Sequence, residues 1–127
     1  MGLAVGIDLG TSNSCVAVVK DGTPHVIRDT SGHNTQPSVV AFGHGRSVVV
    51  GHRARRQLIY APQNTVASAK RLIGRRFRHN EVQALLPSMA YDIIEGPNKD
   101  ARVRIQDRMY SIPEISAHVL QLSLIHI

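Results

Sequence analysis

Gly6-Ile7-Asp8-Leu9-Gly10-Thr11-Ser12-Asn13-Ser14 is the stretch that decides the fold. A short apolar run, Leu3 to Ile7, closes on Asp-Leu-Gly, and a valine-rich run, Ser14 to Lys20, follows the turn-type residues. Two strands joined by a tight polar turn are the expectation. Gly10 lets the backbone bend sharply and come close to a ligand. Thr11, Ser12 and Asn13 supply amides and hydroxyls suited to wrapping a phosphate. Asp8 is expected at the end of a buried strand, where a carboxylate is costly unless offset by a hydrated cation such as Mg²⁺. One turn thus offers an acid for a metal and donors for a phosphate, two parts of phosphoryl-transfer chemistry. It is not a Walker loop, because Gly-Lys-Ser/Thr is missing and a strand follows the turn; the Rossmann fingerprint is missing too. A plain hairpin whose Asp and Asn make local turn bonds is the alternative.

Outward from this hairpin, Asp21-Gly22 turns the chain into a third strand near His25 to Arg28. A polar loop from Asp29 to Thr35 ends at Pro37. Ser38 to Phe42 and Ser47 to Val50, flanking Gly43-His44-Gly45, predict another hairpin. Arg53 to Tyr60 reads as a helix with Leu58 and Ile59 on one side and arginines on the other. Asn64 or Thr65 is expected to cap a second helix running through Leu72 and stopped by Gly74. Asn80 is expected to cap a third, Glu81 to Leu86. Tyr91 to Glu95, Arg102 to Gln106 and Met109 to Ser111 read as strands. Ser111 and Glu114 have capping-box spacing ahead of a last helix, with Pro113 in its first turn.

The bulk numbers fit one domain with a real core: 127 residues, 43% hydrophobic. The only cysteine, Cys15, forms no internal disulfide, which favours a reducing compartment. Without a basic leader or an apolar run of about 20 residues, a cytoplasmic protein with no membrane role is expected. The net charge of +6 is concentrated between Arg53 and Arg78, as for a solvated helix face, an acidic partner, a phosphate ligand or nucleic acid. The seven histidines are scattered without ligand spacing, so no protein metal site is expected from them.

Gly-Ile-Asp-Leu-Gly-Thr-Ser-Asn-Ser-Cys-Val-Ala-Val resembles the first phosphate motif of the seventy-kilodalton heat-shock chaperones, bacterial branch, with Ser12 where the family usually has Thr. Thr35 to Ala41 resembles the family's Thr-Pro-Ser strand, with Gln36 in place of Thr. Pro62-Gln63-Asn64-Thr65 followed by Lys70-Arg71-Leu72-Ile73-Gly74-Arg75-Arg76-Phe77 is similar to a run characteristic of the bacterial chaperones, and Pro113 to Ala117 to the opening of a later family helix. The resemblance covers residues 2 to about 121. It implies an α/β chain of the actin-like, ribonuclease-H-like ATPase fold: part of the first lobe, with a mixed sheet, hairpins and packed helices.

The resemblance also implies roles. Asp8 would bind Mg²⁺ through water. Gly10, Thr11, Ser12 and Asn13 would hold the phosphates of ATP or ADP, with Thr11 lining the γ-phosphate site. Lys70, a surface residue by composition, would orient the hydrolytic water and stabilise charge. Cys15 would contact the diphosphate through its backbone, its thiol serving packing. Slow ATP hydrolysis would drive capture and release of unfolded polypeptide clients, regulated by a J-domain co-chaperone and by a nucleotide-exchange factor docking near Gly32. Arg55, Arg56, Arg71, Arg75, Arg76 and Arg78 would then form lobe surface and ion pairs, with no nucleic acid involved.

Residues 1–121 are accordingly expected to be an N-terminal fragment of the ATPase domain, inactive in isolation. Leu-Ser-Leu-Ile-His-Ile, residues 122–127, is what CTG TCT CTT ATA CAC ATC encodes, a string similar to a transposase adapter end, and is expected to be a non-native tail. Another actin-like ATPase or sugar kinase would share the Asp-x-Gly-Thr hairpin but not Lys-Arg-Leu-Ile-Gly-Arg-Arg-Phe. A ribonuclease-H-like nuclease needs more converging carboxylates. A basic nucleic-acid-binding module would want more than 4% aromatic residues for base stacking.

Overall fold

The computed structural model describes residues 5–29, 31–44 and 47–125, with side chains described through residue 121. The first sheet contains β1 (Val5–Leu9), β2 (Asn13–Lys20), β3 (Thr23–Val26) and the two-residue β4 (Gln36–Pro37). β2 pairs antiparallel with the other three, β1 and β3 along its length and β4 at its start. Asp21 and Gly22 both have positive φ, as a two-residue hairpin turn between right-twisted strands demands. β3 begins two residues earlier than its valine and histidine suggest, because the register Lys20↔Thr23 is set by this short turn.

A second sheet has the order β6 (Val48–Val50), β5 (Val39–Phe42), β7 (Thr65–Ala67), and a third the order β10 (Arg108–Ser111), β9 (Ala101–Ile105), β8 (Asp92–Glu95). The β5–β6 hairpin is the expected one; Gly45 and Arg46 of its turn lie outside the described residues, as do residues 1–4 ahead of β1. Every pairing between described strands is antiparallel, so the parallel component of the expected mixed sheet is not seen among them.

The helical expectation for 64–72 is overturned. Thr65–Ala67 is a strand on β5, and only Ala69–Leu72 is helical, as a 3₁₀ turn. Tertiary context decides here: Val66 pairs with Val40 and both are fully buried. Thr65, where the cap was expected, instead donates its hydroxyl to the Ala61 carbonyl at 2.8 Å. The β-branched pair Thr65-Val66 suits a strand position with neighbours on both sides.

The arginine-rich helix is shorter than expected. α1 spans His52–Arg56, and Gln57–Ile59 continues as a 3₁₀ turn. Ala54 of α1 is buried against Val39 and Ala41, Leu58 is half-buried, and Ile59 is 88% exposed. α2 (Asn80–Leu85) is capped by the His79 ring, which accepts from the Glu81 amide at 3.1 Å, and not by Asn80.

α3 (Ile112–Ile125) opens on the expected capping box. The Glu114 amide donates to Ser111 Oγ at 3.2 Å, and the Ser111 amide donates to Glu114 Oε1 at 3.1 Å. The helix buries Ile112, Ile115 and Val119 against the third sheet and against Leu72 of the 3₁₀ turn, in a cluster with Val40, Phe42, Val66, Val82, Val103 and Ile105. It continues past Gln121 into the segment read as a non-native tail.

Candidate functional site

The turn after β1 is closed by its own backbone: the Gly10 amide donates to the Asn13 carbonyl at 3.0 Å. A side chain at position 10 would overlap that same carbonyl oxygen, so glycine is required by close approach. Ser38, which directly follows β4, then braces the turn. The Ser38 amide donates to the Ser12 carbonyl at 2.9 Å, and the Ser38 hydroxyl donates to the Gly10 carbonyl at 2.8 Å. Ser14 and Ser38 hydroxyls meet at 2.7 Å, with Ser14 buried. Ser38 therefore ties both ends of the turn to the neighbouring strand, a contribution the sequence reading missed although its Pro-Ser motif was visible.

Thr11, Ser12 and Asn13 line a cleft together with Pro37 to Val39, Arg55, Leu58, Ala67 and Ser68. The Thr11, Ser12 and Asn13 side chains form no hydrogen bond with another described residue, which leaves their donors directed to a ligand or to water. Lys70 reaches this turn from the far side of the sequence. Its ammonium donates to the carbonyl of Leu9, the residue between Asp8 and Gly10. Ser68, with a left-handed backbone (φ 59°), joins β7 to the 3₁₀ turn that carries Lys70.

Asp8 departs from the sequence expectation. β1 is not a buried strand: Val5 is 40% exposed, and Asp8 is exposed as well. The register explains the side-chain directions. Ile7↔Val16 and Leu9↔Ser14 share the face that packs inward, and Asp8↔Cys15 share the opposite face. Solvent thus screens the Asp8 carboxylate, and no cation is needed to offset burial. Cys15 lies away from the cleft and lines a separate cavity with Arg28, Asp29, His33 and Gln36. Only its backbone, directly across from Asp8, belongs to the hairpin.

Gly32 sits in the loop between β3 and β4 with φ +87°. Asp29 organises this loop through one carboxylate oxygen, Oδ1, which accepts the Ser31 amide at 2.9 Å and the His33 amide at 2.8 Å. Its Oδ2 accepts from Gln36 Nε2 and lies 3.2 Å from His33 Nδ1. The His33 amide is the main reason the Asp29 carboxyl is held well below the usual carboxylate range; partial burial works the other way, and Gln36, the His33 ring and Ser31 add to the lowering.

The arginine cluster is largely surface, as expected. Arg75 pairs with Glu81 at 2.7 Å and Arg78 with Glu95 at 3.1 Å. Arg55, Arg56, Arg71 and Arg76 are exposed. No helix among the described residues is long and apolar enough to cross a membrane.

Compared with known families, residues 4–123 match the family model described as Hsp70 protein. The match takes in the hairpin, the Lys70 turn and the opening of α3 together.

Proposed function

The chain belongs to the Hsp70 family, and from that premise we propose that it is the first part of the nucleotide-binding domain of an ATP-dependent molecular chaperone of the bacterial type. The family's fold is the actin-like ATPase fold, its full-length members are ATPases that bind ATP or ADP with Mg²⁺, and they work with unfolded clients and co-chaperones. The observation that carries the reading for this chain is the Lys70 ammonium resting on the Leu9 carbonyl, beside a turn whose donors face a cleft.

The residues fit the ligand. Closing the turn on Gly10 brings backbone and side-chain donors of Thr11, Ser12 and Asn13 to one edge of the cleft, a donor set suited to phosphate oxygens. Asp8 offers an exposed carboxylate one residue before Leu9, suited to holding Mg²⁺ through its waters. The metal, when bound, supplies charge neutralisation on the phosphates. Lys70 is a compact cation on a flexible stem. By leaving the Leu9 carbonyl it would reach a terminal phosphate or the water attacking it, and its charge would count most as negative charge grows in the transition state. The Cys15 backbone, across from Asp8, would extend the diphosphate contact.

On this reading the parent protein is cytoplasmic, a J-domain co-chaperone stimulates it, and an exchange factor docks at the Gly32 loop. Residues 1–121 are proposed to be inactive in isolation, and residues 122–127 to be foreign. The test is single-turnover ATP hydrolysis by the full-length parent carrying Lys70→Ala. We expect a loss of about 10²-fold or more in the hydrolytic step with nucleotide still bound. Wild-type turnover in that variant overturns the role of Lys70.

A further inference from the structure

Outside the cleft, the fold brings together three metal-binding side chains that the sequence scatters. Asp29 and His33 belong to the loop between β3 and β4, and His52 is the first residue of α1. One potential ligand atom from each lies within 4.8 Å of the other two. The two imidazoles are stacked, with ring centroids 3.9 Å apart and planes inclined by 29°. The histidines have no ligand spacing along the chain, and it is the loop fold that supplies this proximity.

We propose that Asp29, His33 and His52 form a site for a divalent transition-metal ion of the Zn²⁺ class. Two imidazole nitrogens and a carboxylate oxygen are a donor set such ions use, with remaining positions left to water. His33 Nδ1 and Asp29 Oδ2 are 3.2 Å apart. Two ligands on one tetrahedral ion, with bonds of about 2.0–2.2 Å, stand about 3.4 Å apart. For the ion to take the place of this hydrogen bond, the His33 ring proton moves from Nδ1 to Nε2, which leaves the Nδ1 lone pair for the metal and the imidazole neutral. His52 would complete the set by a small shift of the loop towards α1 that keeps its Nε2 bond to the Thr35 carbonyl.

Supporting contacts are already in place. Asp29 Oδ1 is held by the Ser31 and His33 amides, which fixes the carboxylate while Oδ2 turns to the ion. The Thr35 carbonyl, which can only accept, lies 3.1 Å from His52 Nε2. That bond puts the proton on Nε2 and leaves the Nδ1 lone pair for a metal, the usual way a protein orients a ligating histidine. Gln36 Nε2 would give up its bond to Asp29 Oδ2. Arg28 beside Asp29 and His33, and Arg55 and Arg56 beside His52, set positive charge against the ion and keep binding moderate. The consequence is mechanical: an ion there would staple the Gly32 loop to the start of α1. None of this rests on the nucleotide reading.

The test is calorimetric titration of the chain with Zn²⁺, repeated with Co²⁺ to read the visible absorption that nitrogen and oxygen ligation produces. One ion per chain is expected. His33→Ala and His52→Ala should each weaken binding by about 10-fold or more, and His25→Ala, on the exposed β3, should leave it unchanged. Circular dichroism of each metal-free variant verifies its fold. In parallel, Zn²⁺ should raise the thermal midpoint of the wild type and of His25→Ala but not of the other two. Absence of saturable binding below about 1 mM, the level of a roughly 4 kcal/mol interaction, overturns the proposal. So does binding that survives His33→Ala and His52→Ala together.

Discussion

The sheet that carries the phosphate-type turn and the layers behind it are built differently. In the β1–β2–β3 sheet only Val16 and Val18 are buried among the apolar strand residues, and Val5, Val19 and Val26 are exposed. The cluster from Val40 to Val119 is closed: Leu72, Val66, Val82 and Val103 are all shielded from solvent, and among the described residues of the hairpin Leu9 packs against it. Free energy of folding is therefore concentrated in residues 39–119, and the chemistry-bearing turn is held mainly by hydrogen bonds to β4 and by the Lys70 contact. A turn fixed by backbone bonds presents its remaining donors without burying them, which is what a ligand site requires and what a core cannot offer.

The contrast is sharpest for cavity-forming changes. Leu72→Ala is expected to cost about 3 kcal/mol in urea unfolding, since it leaves a void where α3 meets the 3₁₀ turn. Val5→Ala on the exposed edge should cost under about 1 kcal/mol; equal losses at the two positions would break the comparison. Gly10→Ala comes next, at about 2 kcal/mol, because the new methyl must push the Asn13 carbonyl aside. Hydrogen exchange should show that loss in β1 and β2 amides first, with β9 and α3 still protected.

A smaller effect than at Leu72 or Gly10 concerns Tyr91, which is buried and donates to the Ala67 carbonyl at 2.7 Å. Tyr91→Phe leaves that carbonyl short of a partner, for about 1 kcal/mol. Burial raises the Tyr91 phenol above its ordinary value of 10.0, with the charge of Arg71 opposing. The folded state thus holds this proton more tightly than the unfolded chain, and the corresponding stability, complete below pH 10, is lost as pH rises beyond it. Tyr91→Phe should remove that alkaline decline, and a pH–stability curve unchanged by the substitution would place its cause elsewhere.

Much of the fold was legible because its signals are local. Asp21-Gly22 specifies a two-residue hairpin by its backbone preference, and Ser111 with Glu114 specifies a helix start by reciprocal bonds three residues apart. Gly10 was readable for the same reason, since the atom it must avoid belongs to Asn13. Where the reading failed, a distant partner decided. Thr65-Val66 could begin a helix or a strand until β5 offered an edge, and Asp8 looked buried until the pleat turned Leu9 inward and the carboxylate out.

The sequence by itself determined the hairpin turns, the capping box of α3 and the donor-rich tip of the first hairpin, because backbone preference and short-range bonding act within a few residues. Tertiary structure alone decided that Lys70 meets Leu9, that Ser38 braces the turn and that His33 stacks on His52. These contacts join positions far apart in the chain, and their geometry exists only once buried apolar surface has set the layers against one another.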